Sequence, residues 1–167
     1  MTVASADIHK AVHIAWSASS LDAVFQALWA TSVDVTRWPV MEGEEASPDH
    51  PFPYCVVEID TPRTQNRMSG TGDTQHHLRQ IPVTFHIHAN EVEGDSRSSK
   101  EITTYLAEEV MKVFGGHPTE KPSALLSLDN GNHVITQYEN DYGVRTEHDR
   151  YHWILAYTIL VDVPVAV

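Results

Sequence analysis

Between Leu78 and Phe114 a strand pattern passes into a helix pattern, and that order restricts the folds open to the chain. Ile81, Val83, Phe85, Ile87 and Ala89 alternate with Gln80, Pro82, Thr84, His86 and His88, the period of two expected of a strand with one buried face. The run predicts a strand of about ten residues. Beyond a break at Asn90 to Asp95, the residues Ile102, Tyr105, Leu106, Val110, Val113 and Phe114 recur at helical spacing. Ser98 and Glu101 stand as a capping box at its start, and Gly115-Gly116 as its stop. An amphipathic helix so connected can fold back over its own sheet.

The remaining segments fill in around this unit. Ser5 can cap a helix carrying Ile8, Val12, Ala15 and Trp16 on one side, and Ser19 or Ser20 restarts the pattern for Leu21, Val24, Phe25, Leu28 and Trp29. Two helices or one bent helix both fit. Val33 to Pro53 reads as a loop holding Glu42, Glu44, Glu45 and Asp49. Without the Asp-x-Asp-x-Asp-Gly order, those carboxylates read as a solvated face. Pro53 to Asp60 is the first strand. From Thr61 to His77 the chain turns polar, with Ser69-Gly70-Thr71-Gly72 suiting the tip of a long hairpin that leaves the globule. Arg63, Arg67 and Arg79 flank it on an otherwise acidic chain, so it is either an arm meeting an acidic surface on a neighbouring copy or a solvated loop.

After the glycine stop comes a linker, Pro118 to Pro122, then a helical turn at Ser123 to Leu128 and a turn at Asp129 to Asn132. His133 to Tyr142 reads as a third strand, Arg150 to Val163 as a fourth. In the last, Tyr151, Trp153, Leu155, Tyr157, Ile159, Val161 and Val163 share one face, while Ile154, Ala156 and Leu160 make the other face apolar too. A strand apolar on both sides needs cover on both. The second cover is either another subunit, with Ile154 and Leu160 at the contact, or the Val33 to Pro53 loop. The expected class is therefore α+β: one domain over residues 1–167, a mainly antiparallel sheet of about four strands packed against N-terminal and central helices, and a projecting hairpin or loop.

Composition narrows the function. A chain of 167 residues, 41% hydrophobic, is sized for one domain whose core needs no disulfide. Its 23 acidic residues against 11 basic ones leave a formal net charge of −12, which argues against gripping duplex nucleic acid. Cys55 is the single cysteine and reads as a buried apolar residue, so we expect a reducing compartment. No apolar run approaches a membrane span, and the N-terminus carries no export pattern, so no membrane partner is expected.

Chemistry is sparse. His86 and His88 share a strand face at a spacing able to hold a metal, with His76 and His77 nearby, but no third ligand is evident and solvated histidines are the simpler reading. His148 and Asp149, with Glu147 and Asp141 close by, read as a charged hairpin loop around Tyr142-Gly143 rather than as an acid–base pair. Nucleophile elbow, phosphate-cradling loop and dinucleotide fingerprint are all missing. We expect no enzyme, and no cofactor, metal or catalytic residue. A small metal- or ligand-binding α+β domain is the remote alternative.

The order of elements resembles the tail terminator proteins of tailed bacteriophages. N-terminal helices precede Trp38-Pro39, then a proline-led strand, Pro53-Tyr54-Cys55-Val56-Val57, then a strand led by a basic residue, Arg79 to Ala89. A helix with alanine and paired acids, Tyr105-Leu106-Ala107-Glu108-Glu109-Val110, and two strands closing near Arg150 to Val161 complete it. The loop Glu42 to His50 and the segment Thr61 to His77 are larger than the family's pattern needs. The resemblance implies a homo-oligomeric ring, typically a hexamer, that caps the tail tube and joins it to the head–tail connector or neck protein. It also implies assembly in the host cytoplasm and residence in the virion, a sheath protein as a further contact, and DNA passing through the lumen without specific binding. A connector role (neck, stopper or adaptor) is the alternative in the same setting.

Overall fold

The computed structural model describes residues 5–29, 39–42, 50–61, 63–68, 74–122, 126–129, 131–146 and 150–166. The alternation around Phe85 extends beyond its apolar residues: the strand β4 runs Thr74–Ala89. It is preceded by α1 (Ser5–Ala18), α2 (Leu21–Gln26), β1 (Val40–Glu42), β2 (Tyr54–Ile59) and β3 (Arg63–Met68). It is followed by α3 (Ser99–Phe114), β5 (Asn132–Arg145) and β6 (Tyr151–Ala166). The fold is α+β and mainly antiparallel, as expected. The four strands β2, β4, β5 and β6 are joined by β1 and β3, giving the order β1-β2-β4-β6-β5 with β3 also on β4.

β4 is the spine of the sheet. Along one edge it pairs with β6 over its whole length, from Thr74 opposite Ala166 to Ala89 opposite Tyr151. Along the other edge β2 and β3 lie end to end, β2 opposite Val83 to His88 and β3 opposite His76 to Gln80. Pro82 sits where they meet, and its carbonyl accepts from the Asp60 N–H at 3.0 Å. The missing N–H of Pro82 therefore points to the junction of β2 and β3, not into the β6 ladder. That is how a proline is tolerated in a central strand.

Even and odd positions of β4 go to opposite sides. On one side Ile81, Val83, Phe85 and Ile87 meet Leu155, Tyr157 and Ile159 of β6, under Ile102, Leu106, Val110 and Phe114 of α3. Ile8, Val12 and Trp16 of α1, with Phe25 of α2, close the same core. Phe85 lies among three aromatic rings, with centroids at 4.8 Å from Phe114, 5.6 Å from Tyr157 and 6.3 Å from Trp16. The Trp16 indole N–H donates to Asp22 at 2.7 Å, and the Tyr157 hydroxyl donates to the Gly115 carbonyl at 2.8 Å. Neither buried polar tip is orphaned.

The capping box forms as predicted: the Ser98 hydroxyl accepts from the Glu101 N–H, and the Ser98 N–H donates to the Glu101 carboxylate at 2.8 Å. Glu101 is held below its ordinary pKa by the Ser98 N–H and then by the Ser98 hydroxyl, both of which donate to its carboxylate. Gly115 and Gly116 take φ values of 119° and 95° at the other end. A Cβ on Gly116 would lie 2.6 Å from the Tyr138 ring, so both conformation and space call for glycine.

The structure departs from expectation at several points. Tyr142-Gly143 is not a loop: β5 continues to Arg145, with Gly143 opposite Trp153. A Cβ there would come within 2.5 Å of Tyr151 and 2.7 Å of Trp153, so the glycine makes room for two rings lying across the strand. Gly143→Ala should cost about 1–3 kcal/mol by overpacking, read as a lower melting temperature.

The helical turn expected at Ser123 to Leu128 does not form over its described part. Leu126 to Leu128 are not helical; Leu126 is buried in the core instead, while 123–125 lie outside the described residues. The segment Val33 to Pro53 contains β1, parallel to β2 with Val40 opposite Cys55. Trp38, Glu44, Glu45 and Asp49 lie outside the described residues. Much of Thr61 to His77 is sheet, because β3 pairs with the first half of β4; the glycine-rich tip, Ser69 to Gly72, lies outside the described residues.

Candidate functional site on the open face of the sheet

The helices pack on one side only, and among the described residues no element covers the other. Its side chains follow from the register as rows running across the strands. Arg63 of β3, Gln80 of β4, Leu160 of β6 and Ile135 of β5 make one row; Val56, His86, Ile154 and Tyr142 make another. At the end nearest the β5–β6 turn lies a third, Tyr54, His88, His152 and Val144. Tyr142 is 53% exposed, Ile135 49% and Val144 41%. Along β5, Gln137 and Asn140 separate Ile135 from Tyr142 and Val144, so the exposed apolar side chains stand at two ends of this face.

This geometry sorts the candidate contact residues. Ile154 and Leu160 stand on the open face, half-buried between their neighbours, and exposed Arg63 is in the row of Leu160. A register shift between Thr64 and Asn66 puts Arg67 opposite His77, out of step with Arg63 opposite Gln80. Arg79 is on the helix side, opposite Val161, and its buried Nε lacks a hydrogen-bond partner among the described residues. Arg63 and Arg79 therefore lie on opposite faces of the sheet.

His86 and His88 are half-buried and engaged with neighbouring side chains. His76 and His77 lie on the same strand as His86 and His88, not across a hairpin from them. His152, which sequence reading passed over, is directly opposite His88. The two rings stack at 4.1 Å with 16° between planes, and Tyr54 also stacks on His88, at 4.8 Å. His86 Nδ1 is 3.0 Å from His152 Nε2, and His86 Nε2 is 3.2 Å from the Glu58 carboxylate. A neutral chain of bonds has one consistent assignment: His152 Nε2–H donates to His86 Nδ1, and His86 Nε2–H donates to Glu58.

Burial pushes His88 down to about 4, with His152 and His86 adding to the effect. Burial also lowers His152, His86 lowers it further, and Glu58 opposes both. Two unit charges about 4 Å apart repel by about 4 kcal/mol at an effective dielectric of about 20, so the stack resists a second proton. Among the described residues, no group of three or more His, Cys, Asp or Glu side chains is arranged to hold a metal ion.

Asp141 has structural partners on the helix side. It accepts from the Trp153 indole at 2.9 Å and from the Tyr138 hydroxyl. Burial, and then that bond to Asp141, push Tyr138 up to about 12. Glu147, His148 and Asp149 lie outside the described residues. Cys55 is wholly buried, and burial pushes its thiol far up, which suppresses the reactive thiolate. No helix among the described residues is long and apolar enough to cross a membrane.

No protein-family model matches the sequence, and no curated protein matches it. The fold does have a solved counterpart. A chain in a structure described as the virion of a native gene transfer agent particle superposes with a TM-score of 0.54 at 14% identity, covering 97% of this chain and 99% of that one. Coverage that is nearly complete in both directions means that the whole architecture is shared, and not one motif of it.

Proposed function

We propose that this chain is a structural protein of a phage-like particle, and that it closes into the ring that caps the tail tube and joins it to the neck. The observation that carries this reading is the end-to-end likeness of fold to a chain of a gene transfer agent virion. The tail-terminator role is the finer part of the proposal and rests on the order of elements in the sequence. A ring built from head-to-tail contacts needs two different complementary patches on each subunit. The open face, centred on Ile154 and Leu160 with Arg63 at its margin, is one; the end of the sheet around Arg67 and Arg79 is the other.

The partners are then further copies of the chain, the tube protein below, the connector or neck protein above, and a sheath protein where the tail has one. A formal charge of −12 suits a conduit, since a negative lumen does not grip passing DNA. Such a protein works by shape and association, with no bond made or broken. Electron microscopy of particles assembled without this chain tests the role. Overlong or headless tails are expected. Filled heads that leak DNA would move the assignment to the connector, and normal particles would overturn it altogether.

A further inference from the structure

We propose that His86 and His152 make a binding site for one divalent transition-metal ion, ligated by His86 Nδ1 and His152 Nε2, with Glu58 as the carboxylate that orients His86. The pair is not the one the strand period suggested. His86 and His88 follow one another along β4, whereas His152 reaches His86 diagonally from β6: His152 pairs with His88, and Ile154 with His86. Both rings stand on paired central strands, a rigid base that holds two donors at a fixed separation. The site lies within one chain, so it does not depend on whether copies assemble.

The geometry between the two rings points to a cation. His86 Nδ1 and His152 Nε2 are 3.0 Å apart. At that distance two ring nitrogens repel through their lone pairs unless something positive lies between them, either a shared proton or a metal ion. With metal–nitrogen bonds of about 2.0–2.1 Å, the separation subtends an angle of about 95° at the ion. That is close to the right angle between neighbouring ligands in tetragonal coordination and narrower than a tetrahedral site offers. The pair therefore suits copper(II) or nickel(II) better than zinc.

The surroundings fix both donors. His86 Nε2 is 3.2 Å from the Glu58 carboxylate, and a metal-ligating histidine commonly donates its other ring N–H to just such a group. With the proton of His86 held at Nε2, the lone pair is on Nδ1, facing His152. The His152 ring is held in its plane by His88, stacked on it at 4.1 Å, with Tyr54 stacked in turn on His88. Ligation needs one rearrangement: the His152 proton moves from Nε2 to Nδ1, and both rings stay neutral. Among the described residues no third His, Cys, Asp or Glu is placed to complete the shell. The remaining positions belong to solvent, which makes this an open two-nitrogen chelate and not a closed structural centre.

Nickel(II) titrated into the full chain at neutral pH tests the site, followed by calorimetry and by NMR of the imidazoles. We expect the tightest step to take up one ion and paramagnetic broadening to begin at His86 and His152. His86→Ala and His152→Ala should each weaken that step about tenfold or more, because one donor remains where two were held side by side. Glu58→Ala keeps both ligands and should weaken it about 10–100-fold. His9 and His13, one turn apart on α1, are the other pair spaced to share an ion, and His13→Ala should leave the step unchanged. Broadening that begins at any other histidine, or no nickel bound, overturns the site, and that reading uses the wild-type chain and needs no variant to fold. An imidazole variant that binds as the wild type does overturns it too, as does loss of the step in His13→Ala. Unchanged binding in Glu58→Ala overturns the orienting role.

Discussion

Phe85→Ala should destabilise the fold by about 3–5 kcal/mol, the range for truncating a buried aromatic side chain. Phe85 is 1% exposed and its ring joins β4 to three other elements through Trp16, Phe114 and Tyr157. Removing it leaves a void bounded by rings already engaged elsewhere: Trp16 is tied to Asp22 and Tyr157 to the Gly115 carbonyl. Those bonds limit how far the walls can collapse, which puts the cost towards the upper part of the range. Urea titration should show a lower midpoint with an unchanged slope. A variant as stable as wild type would mean that β4 presents its other face to the core.

The second large effect is on assembly. Ile154→Asp with Leu160→Asp should leave the subunit folded and weaken self-association about a hundredfold or more, a loss of about 3 kcal/mol. Both positions lie on the open face, where a carboxylate on the free subunit remains in contact with water. Beneath a neighbouring subunit the same carboxylate loses its solvent and gains no partner, and burial of unpaired charge is strongly unfavourable. Circular dichroism and sedimentation on the same sample separate the two outcomes. Unchanged association would remove this face from the interface.

The sequence carried its strongest signals where period and chemistry agree. Ser98, Glu101 and Gly115-Gly116 bounded α3 because capping uses residues close in the chain. Ile81 to Ala89 marked β4 because one face is fully buried. β3, whose sequence is RTQNRM, offered no alternation to read; it is a strand because β4 supplies an edge to pair with, a tertiary effect that outweighs local preference. β1 is three residues long and equally silent. Gly143 looked like a turn, but its lack of a side chain serves the rings of Tyr151 and Trp153 that lie across it. The histidine cluster depends on register: His86 and His152 are 66 residues apart, and only the pairing of β4 with β6 brings them into contact. The apolar second face of β6 was legible in Ile154, Ala156 and Leu160; the structure adds that no described element covers it.

Ring closure shows most directly in the mass of the particle in solution. The purified chain should be sized by light scattering at neutral pH, alone and mixed with tube protein. Closure predicts a mass several times the 18.7 kDa of one chain in at least one of the two samples. A particle that stays at 18.7 kDa in both contradicts it.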